Sequence, residues 1–111
     1  VKAMREPTFL ILTALAEGPR HGYGILQEVA ELSGGRVRLL TGTLYTALDR
    51  LTAEGMVTLD REAVVDGRLR RYFRLTEAGR AAVTAETARL RDLATAAERR
   101  LGTARRSVRP A

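Results

Sequence analysis

The binding chemistry of this chain is concentrated in two short stretches. In the first, Thr41, Gly42, Thr43, Tyr45, Thr46 and Arg50 combine hydroxyls and a guanidinium with a glycine that permits close backbone approach. In the second, Arg68, Arg70 and Arg71 follow the dipeptide Asp66-Gly67. Such donors bind anions, and the planar arginine fork matches a phosphate or a guanine edge with two hydrogen bonds. Catalysis asks for something else, a nucleophile beside a base or paired carboxylates in a pocket. There is no cysteine, His21 is the single histidine, and the acids are scattered. No enzyme is expected. His21 lacks partners at metal-ligand spacing, so a capping or surface role is assigned to it and no metal or cofactor is expected.

The elements that must carry these residues follow from periodicity. Thr41 is a good N-cap for a helix to about Glu54, with Gly55 just past its end. On that helix Leu44, Leu48 and Leu51 fall at i, i+4 and i+7 and face a core, leaving Thr43, Thr46, Ala47 and Arg50 on the opposite side. Two readings of Arg50 stand, a DNA contact or a pair with Glu54 four residues on. Tyr45 likewise either offers its hydroxyl to a phosphate or packs sideways against a neighbouring hairpin. Upstream, a helix is predicted from Pro7 to Glu17, stopped by Gly18-Pro19, with Phe9, Leu12, Leu15 and Ala16 as its apolar stripe. A second runs from Gly22 to Leu32, with Ile25, Val29 and Leu32 inward and Ser33-Gly34-Gly35 at its end. Tyr23 at its start is a phosphate contact or a core aromatic with its hydroxyl at the surface.

Arg36-Val37-Arg38-Leu39 alternates and predicts a short strand with Arg36 and Arg38 outward. Val57–Glu62 and Leu69–Leu75 also alternate, and Asp66-Gly67 between them is a hairpin signal. Arg71 shares the face of Leu69 and Phe73, so Arg68 and Arg70 are the better placed to straddle a sugar-phosphate backbone or reach a minor groove. Thr76 then opens a long helix to about Leu101. The order predicts a mainly α chain with a small β-hairpin. It is a winged helix-turn-helix domain over residues 4–75, a C-terminal dimerisation helix over 76–102 and a flexible basic tail over 103–111. In this architecture the third helix lies in a major groove with the hairpin beside the backbone.

A chain of 111 residues fits one domain with a modest core. Every basic residue but Lys2 is an arginine, the formal charge is +6, and the excess lies in residues 34–75 and 76–111 rather than in the first third. That balance favours polyanions. Scarce aromatics argue against single-stranded RNA and leave double-stranded DNA as the expected partner. No apolar run approaches the roughly 20 residues of a membrane span, no signal-peptide pattern opens the sequence, and the absence of cysteine suits a reducing compartment. A cytoplasmic location without membrane contact is expected. In the last helix Val83, Leu90 and Ala97 recur every seven residues, with Leu93 and Leu101 beside them and Glu86 and Arg100 as interruptions. They form either an intramolecular stripe or a dimer seam, and the lack of anything else to cover them favours the seam.

Four stretches together resemble the PadR family of bacterial transcriptional regulators. They are Phe9-Leu10-Ile11-Leu12 with Leu15, His21-Gly22-Tyr23-Gly24-Ile25, Gly42-Thr43-Leu44-Tyr45 through Leu48-Asp49-Arg50-Leu51 to Glu54-Gly55, and Arg70-Arg71-Tyr72-Phe73-Arg74-Leu75-Thr76-Glu77-Ala78-Gly79. The short chain with one C-terminal helix is similar to the small subclass. The resemblance implies a homodimer joined through the last helix, acting as a repressor released by a small apolar or aromatic effector. Many members carry proline after the Leu-Tyr pair, whereas Thr46 stands here, which bears on operator preference. Positions implied for an effector in the dimer core are Thr8, Phe9, Leu12, Thr13, Leu90, Leu93 and Ala97, of which only Phe9 is aromatic. The alternative is a winged helix that binds a protein partner without sequence-specific DNA binding.

Overall fold

The computed structural model describes residues 3–108. Its elements are α1 (Glu6–Ala14), β1 (Arg20–His21), α2 (Gly22–Leu32), α3 (Thr41–Ala53), β2 (Val57–Val65), β3 (Arg68–Leu75) and α4 (Glu77–Val108). Leu10, Ile11, Leu12 and Leu15 from the first helical segment meet Ile25 and Val29 of α2 and Leu44, Leu48 and Leu51 of α3. Val57, Phe73 and Leu75 close that core from the sheet. Truncating one such leucine to alanine costs about 2–5 kcal/mol, so this cluster fixes how α2 and α3 sit against each other.

α1 ends at Ala14 rather than at the expected Glu17. Leu15 and Ala16 continue in tighter turns, their N–H groups donating to the Leu12 and Thr13 carbonyls three residues back. Leu15 thus stays buried although the α-helix has stopped. α2 has the predicted bounds. α3 begins one residue earlier than expected, for Leu40 in extended geometry is its N-cap and Thr41 is its first helical residue. Thr41 makes no cap, and its side chain is exposed.

The sheet is antiparallel in the order β1-β3-β2. Its third strand is not the expected Arg36–Leu39, which forms no strand. Arg20 and His21 pair instead with Phe73 and Tyr72 and occupy that edge of β3. Alternation in 36–39 is nonetheless real, since Val37 and Leu39 are half-buried against the core while Arg36 and Arg38 are exposed. One-sided burial produces that pattern with or without a ladder partner. In the hairpin, Asp66 (φ 51°) and Gly67 (φ 75°) are both left-handed, as a tight two-residue turn of the primed type requires. A bulge between Leu59 and Arg61 adds Asp60 to β2.

Thr76 caps α4. Its Oγ1 accepts the Gly79 N–H at 3.0 Å and its hydroxyl donates to the Gly55 carbonyl at 2.6 Å. Gly79 is buried, and a Cβ there would run into the Met56 carbonyl oxygen, so α4 starts in direct contact with the backbone that links α3 to β2. The helix runs through Gly102 to Val108, past the end expected near Leu101 and into the first residues of the expected flexible tail. A lone glycine costs a helix about 1 kcal/mol, too little to end one flanked by arginine, leucine and alanine. Of the expected flexible tail, residues 109–111 lie outside the described residues. From Leu90 to Leu101 every α4 side chain is exposed, and the molecule measures 70 × 28 × 21 Å.

Candidate nucleic-acid interface

α3 is held from below by Leu44, Leu48 and Leu51, so its other face is presented by default. Thr41, Gly42, Thr43, Thr46 and Arg50 are all exposed there. The Arg50 guanidinium donates to Glu54 Oε1 at 3.2 Å and to Thr8 Oγ1 of α1 at 2.9 Å. The exposed Arg50–Glu54 ion pair contributes at most about 1 kcal/mol, so a phosphate or base edge can displace Glu54 from the guanidinium. Tyr45 packs sideways, edge-on to Phe73 with ring centroids 6.4 Å apart, and its phenol fills the space that a side chain at Gly22 would need. The residue remains partly open to solvent.

On the hairpin side, a groove of about 520 Å³ separates α3 from β3. Tyr23, Thr41, Tyr45, Arg68, Arg70 and Arg71 all border it, which brings six of the sequence-predicted residues to one concave surface. Tyr23 is 66% exposed rather than a core aromatic. Arg71 donates to its cross-strand neighbour Glu62 at 3.2 Å, and Arg74 pairs with Asp60 at 3.3 Å. Arg61 lies 4.1 Å over the Tyr72 ring and pairs with Asp60. Arg68 and Arg70 have no carboxylate partner among the described residues. His21 stands edge-on to Tyr72, and burial, aided by the nearby Arg70 charge, holds its pKa below the ordinary histidine value. Its ring is therefore a neutral packing element at pH 7. No group of three or more metal-ligating side chains occurs among the described residues.

Two predicted contacts fall elsewhere. Arg36 is taken up by Glu6 of α1, its Nη1 donating to Oε1 at 2.9 Å and its Nη2 to Oε2. It borders a cavity between α1 and α4, away from the α3 face, and so is not assembled with the other site residues. Arg38 is exposed and shares a groove with Tyr23 on the outer side of α2.

The α1–α4 cavity is about 280 Å³. Of the seven effector positions, Phe9 and Leu90 line it. Leu12 is fully buried in the core, Thr13 is half-buried with an unpartnered Oγ1, and Thr8 points to Arg50 on the other side of α1. Leu93 and Ala97 are exposed farther along α4. Consecutive helical residues diverge by about 100°, which is why Thr8 and Phe9 serve different neighbours. Among the seam residues Val83 is half-buried against this chain's own core, whereas Leu90, Leu93, Ala97 and Leu101 are exposed.

Sequence reasoning missed three features of the site. Leu40, 76% exposed at the N-cap of α3, lies on the outward parity of the 36–39 alternation had that pattern been carried one residue further. The Thr8 contact to Arg50 spans 42 residues and has no local signature. Glu86 looked like an interruption of the heptad, yet it is 5% exposed. Its carboxylate accepts from Arg89 at 2.9 and 2.5 Å, and this ion pair, with a hydrogen bond from the Met4 backbone, holds its pKa below the usual carboxylate range.

Residues 11–85 match the family described as "Transcriptional regulator PadR-like family". Among curated proteins the chain is similar to "Transcriptional regulator Rv3488" of Mycobacterium tuberculosis, 44% identical over 84 residues that cover 76% of this chain and 75% of that protein. Among solved structures it is similar to Bacillus subtilis PadR in complex with operator DNA, with a TM-score of 0.65 and 26% identity. That match covers 73% of this chain but only 46% of the Bacillus chain. A PadR family transcription regulator from Clostridium difficile aligns with a TM-score of 0.69 and 25% identity, over 85% of this chain and 96% of its own.

Proposed function

The chain belongs to the PadR-like family of transcriptional regulators, and we propose that it is a repressor that binds double-stranded DNA as a homodimer. The observation that carries this reading is the groove between α3 and the hairpin, where Thr41 and Tyr45 of α3 share one concave surface with Arg68 and Arg70, which have no carboxylate partner among the described residues. A helix with a small polar outer face fits a major groove, and an arginine-bearing wing beside it meets the adjoining backbone. The B. subtilis relative, solved with operator DNA, supports the same use of the fold. In this reading residues 4–75 are the DNA-binding unit and residues 76–102 of α4 the dimerisation helix. The exposed Leu90, Leu93, Ala97 and Leu101 form the seam, and a two-fold partner would give a roughly palindromic operator with half-sites about 10 base pairs apart.

A small apolar or aromatic effector would enter beside Phe9 and Leu90, in the cavity between α1 and α4. The protein would act in the cytoplasm; no helix among the described residues is long and apolar enough to cross a membrane. The test is selection of duplexes from a randomised pool, followed by a mobility-shift titration of the selected sequence against a scrambled one. A selective shift that weakens steeply with salt is expected, because phosphate contacts release counterions. Absence of any selected sequence would overturn the reading in favour of a winged helix that docks on another protein.

A further inference from the structure

The hairpin groove is only one flank of α3. On the other flank lies a second groove of about 640 Å³, bordered by Gly42, Thr43, Thr46 and Arg50 of α3, by Pro7 and Thr8 of α1 and by Arg5 just before it. The same outward residues of α3 therefore line both the open face and this wall. A helix seated in a major groove has a sugar-phosphate backbone on each side, across a groove about 12 Å wide. The wing can serve one of those backbones. What meets the other is decided by the residues on the α1 side.

Arg5 is the exposed cation on that side. It is the N-cap of α1, and no ion pair engages it among the described residues. Arg20, by contrast, is shared between Glu17 and Glu28. One turn along α1, Thr8 accepts from the Arg50 guanidinium at 2.9 Å and draws it toward this wall rather than straight out from α3. Glu54 holds the other arm of the guanidinium and is itself neutralised by that contact.

Resting on the DNA-binding reading above, we infer that the first turn of α1 is a third DNA-contacting element, in which Arg5 binds a backbone phosphate and Thr8 is a positioning residue for Arg50. The duplex is thereby gripped on both sides of α3, by the wing on one backbone and by α1 on the other. Arg5 contributes affinity without sequence preference, because a phosphate carries none. Thr8 contributes preference without charge, because it decides where the Arg50 fork is aimed.

The experiment measures binding of the full chain to its selected duplex and to random-sequence duplex over a range of salt. Arg5→Ala should weaken both to the same extent and reduce the slope of log affinity against log salt by about one for each protomer bound. Arg5→Lys should restore the slope. Thr8→Val, which keeps the shape and removes the hydroxyl, should leave the salt slope unchanged while broadening base preference in a repeated selection, and Thr8→Ser should recover it. Circular dichroism melts of each variant exclude unfolding as the cause. If the wild-type protein binds selectively while Arg5→Ala retains the full slope, this proposal is overturned and the DNA-binding reading stands. If Thr8→Val keeps the wild-type preference, the positioning role fails. A wild-type protein with no selectivity overturns both.

Discussion

At the scale of single residues, what could be read in advance is whatever has a local cause. The outward face of α3 follows from the spacing of Leu44, Leu48 and Leu51, and the tight turn follows from Asp66-Gly67 because few other pairs tolerate two left-handed residues in succession. Contacts that join distant segments left no trace in the sequence. Arg36 was read as an outward contact and is paired with Glu6, thirty residues away. Glu86 interrupts the heptad in sequence, yet it is buried. Its bond to Arg89 is local, but the hydrogen bond it accepts from the Met4 backbone comes from the other end of the chain. Its chemistry gives a signed expectation. Because its folded pKa is depressed, its contribution to stability is complete above the unfolded carboxylate value, roughly pH 4.3, and is lost as pH falls through the lower folded value. Glu6, held low by Arg36, acts in the same direction. Urea midpoints measured between pH 7 and 3 should fall on acidification. In Glu86→Gln they should start lower and fall less; a parallel pH dependence in the two proteins would show that Glu86 contributes nothing to it.

At the scale of elements, helices whose apolar spacing was clear have bounds close to those predicted, and the errors come from competition between segments. The strand expected at Arg36–Leu39 lost its place on β3 to Arg20–His21, a two-residue piece too short to give a periodic signal. The start of α4 was legible in Thr76 with Gly79 three residues on, but the reason for the glycine was not. A Cβ at this position would collide with the Met56 carbonyl oxygen. A backbone oxygen cannot swing aside as a side-chain tip can. Gly79→Ala should therefore cost about 1–3 kcal/mol by overpacking, against a small gain in helix propensity. Thr76→Ala should cost about 1 kcal/mol through the lost cap. Denaturant titration with unchanged m-value checks both, and a stabilised Gly79→Ala would contradict the close contact.

At the scale of the whole molecule, the winged-helix order was readable because helices, hairpin and long helix each announce themselves within about ten residues. What α4 does beyond Leu90 depends on a surface that a single sequence leaves bare. In the proposed dimer that surface is covered by a second copy. Sedimentation should then give a mass near twice the 12.2 kDa chain, and Leu93→Glu should return it to one chain while leaving the melting of residues 4–75 cooperative. A Leu93→Glu protein that stays at the doubled mass would place the seam elsewhere. The glycine contact that opens α4 also has a mechanical meaning. Seated on the Met56 carbonyl at Gly79, the helix beyond extends about 45 Å at 1.5 Å per residue, so in the proposed dimer this contact would be the pivot of a long lever. A tilt of about 5° there would displace the far end by about 4 Å, so in the proposed dimer a rearrangement too slight to disturb the Met56 carbonyl would be geared up into one large enough to change the spacing of the two DNA-binding units.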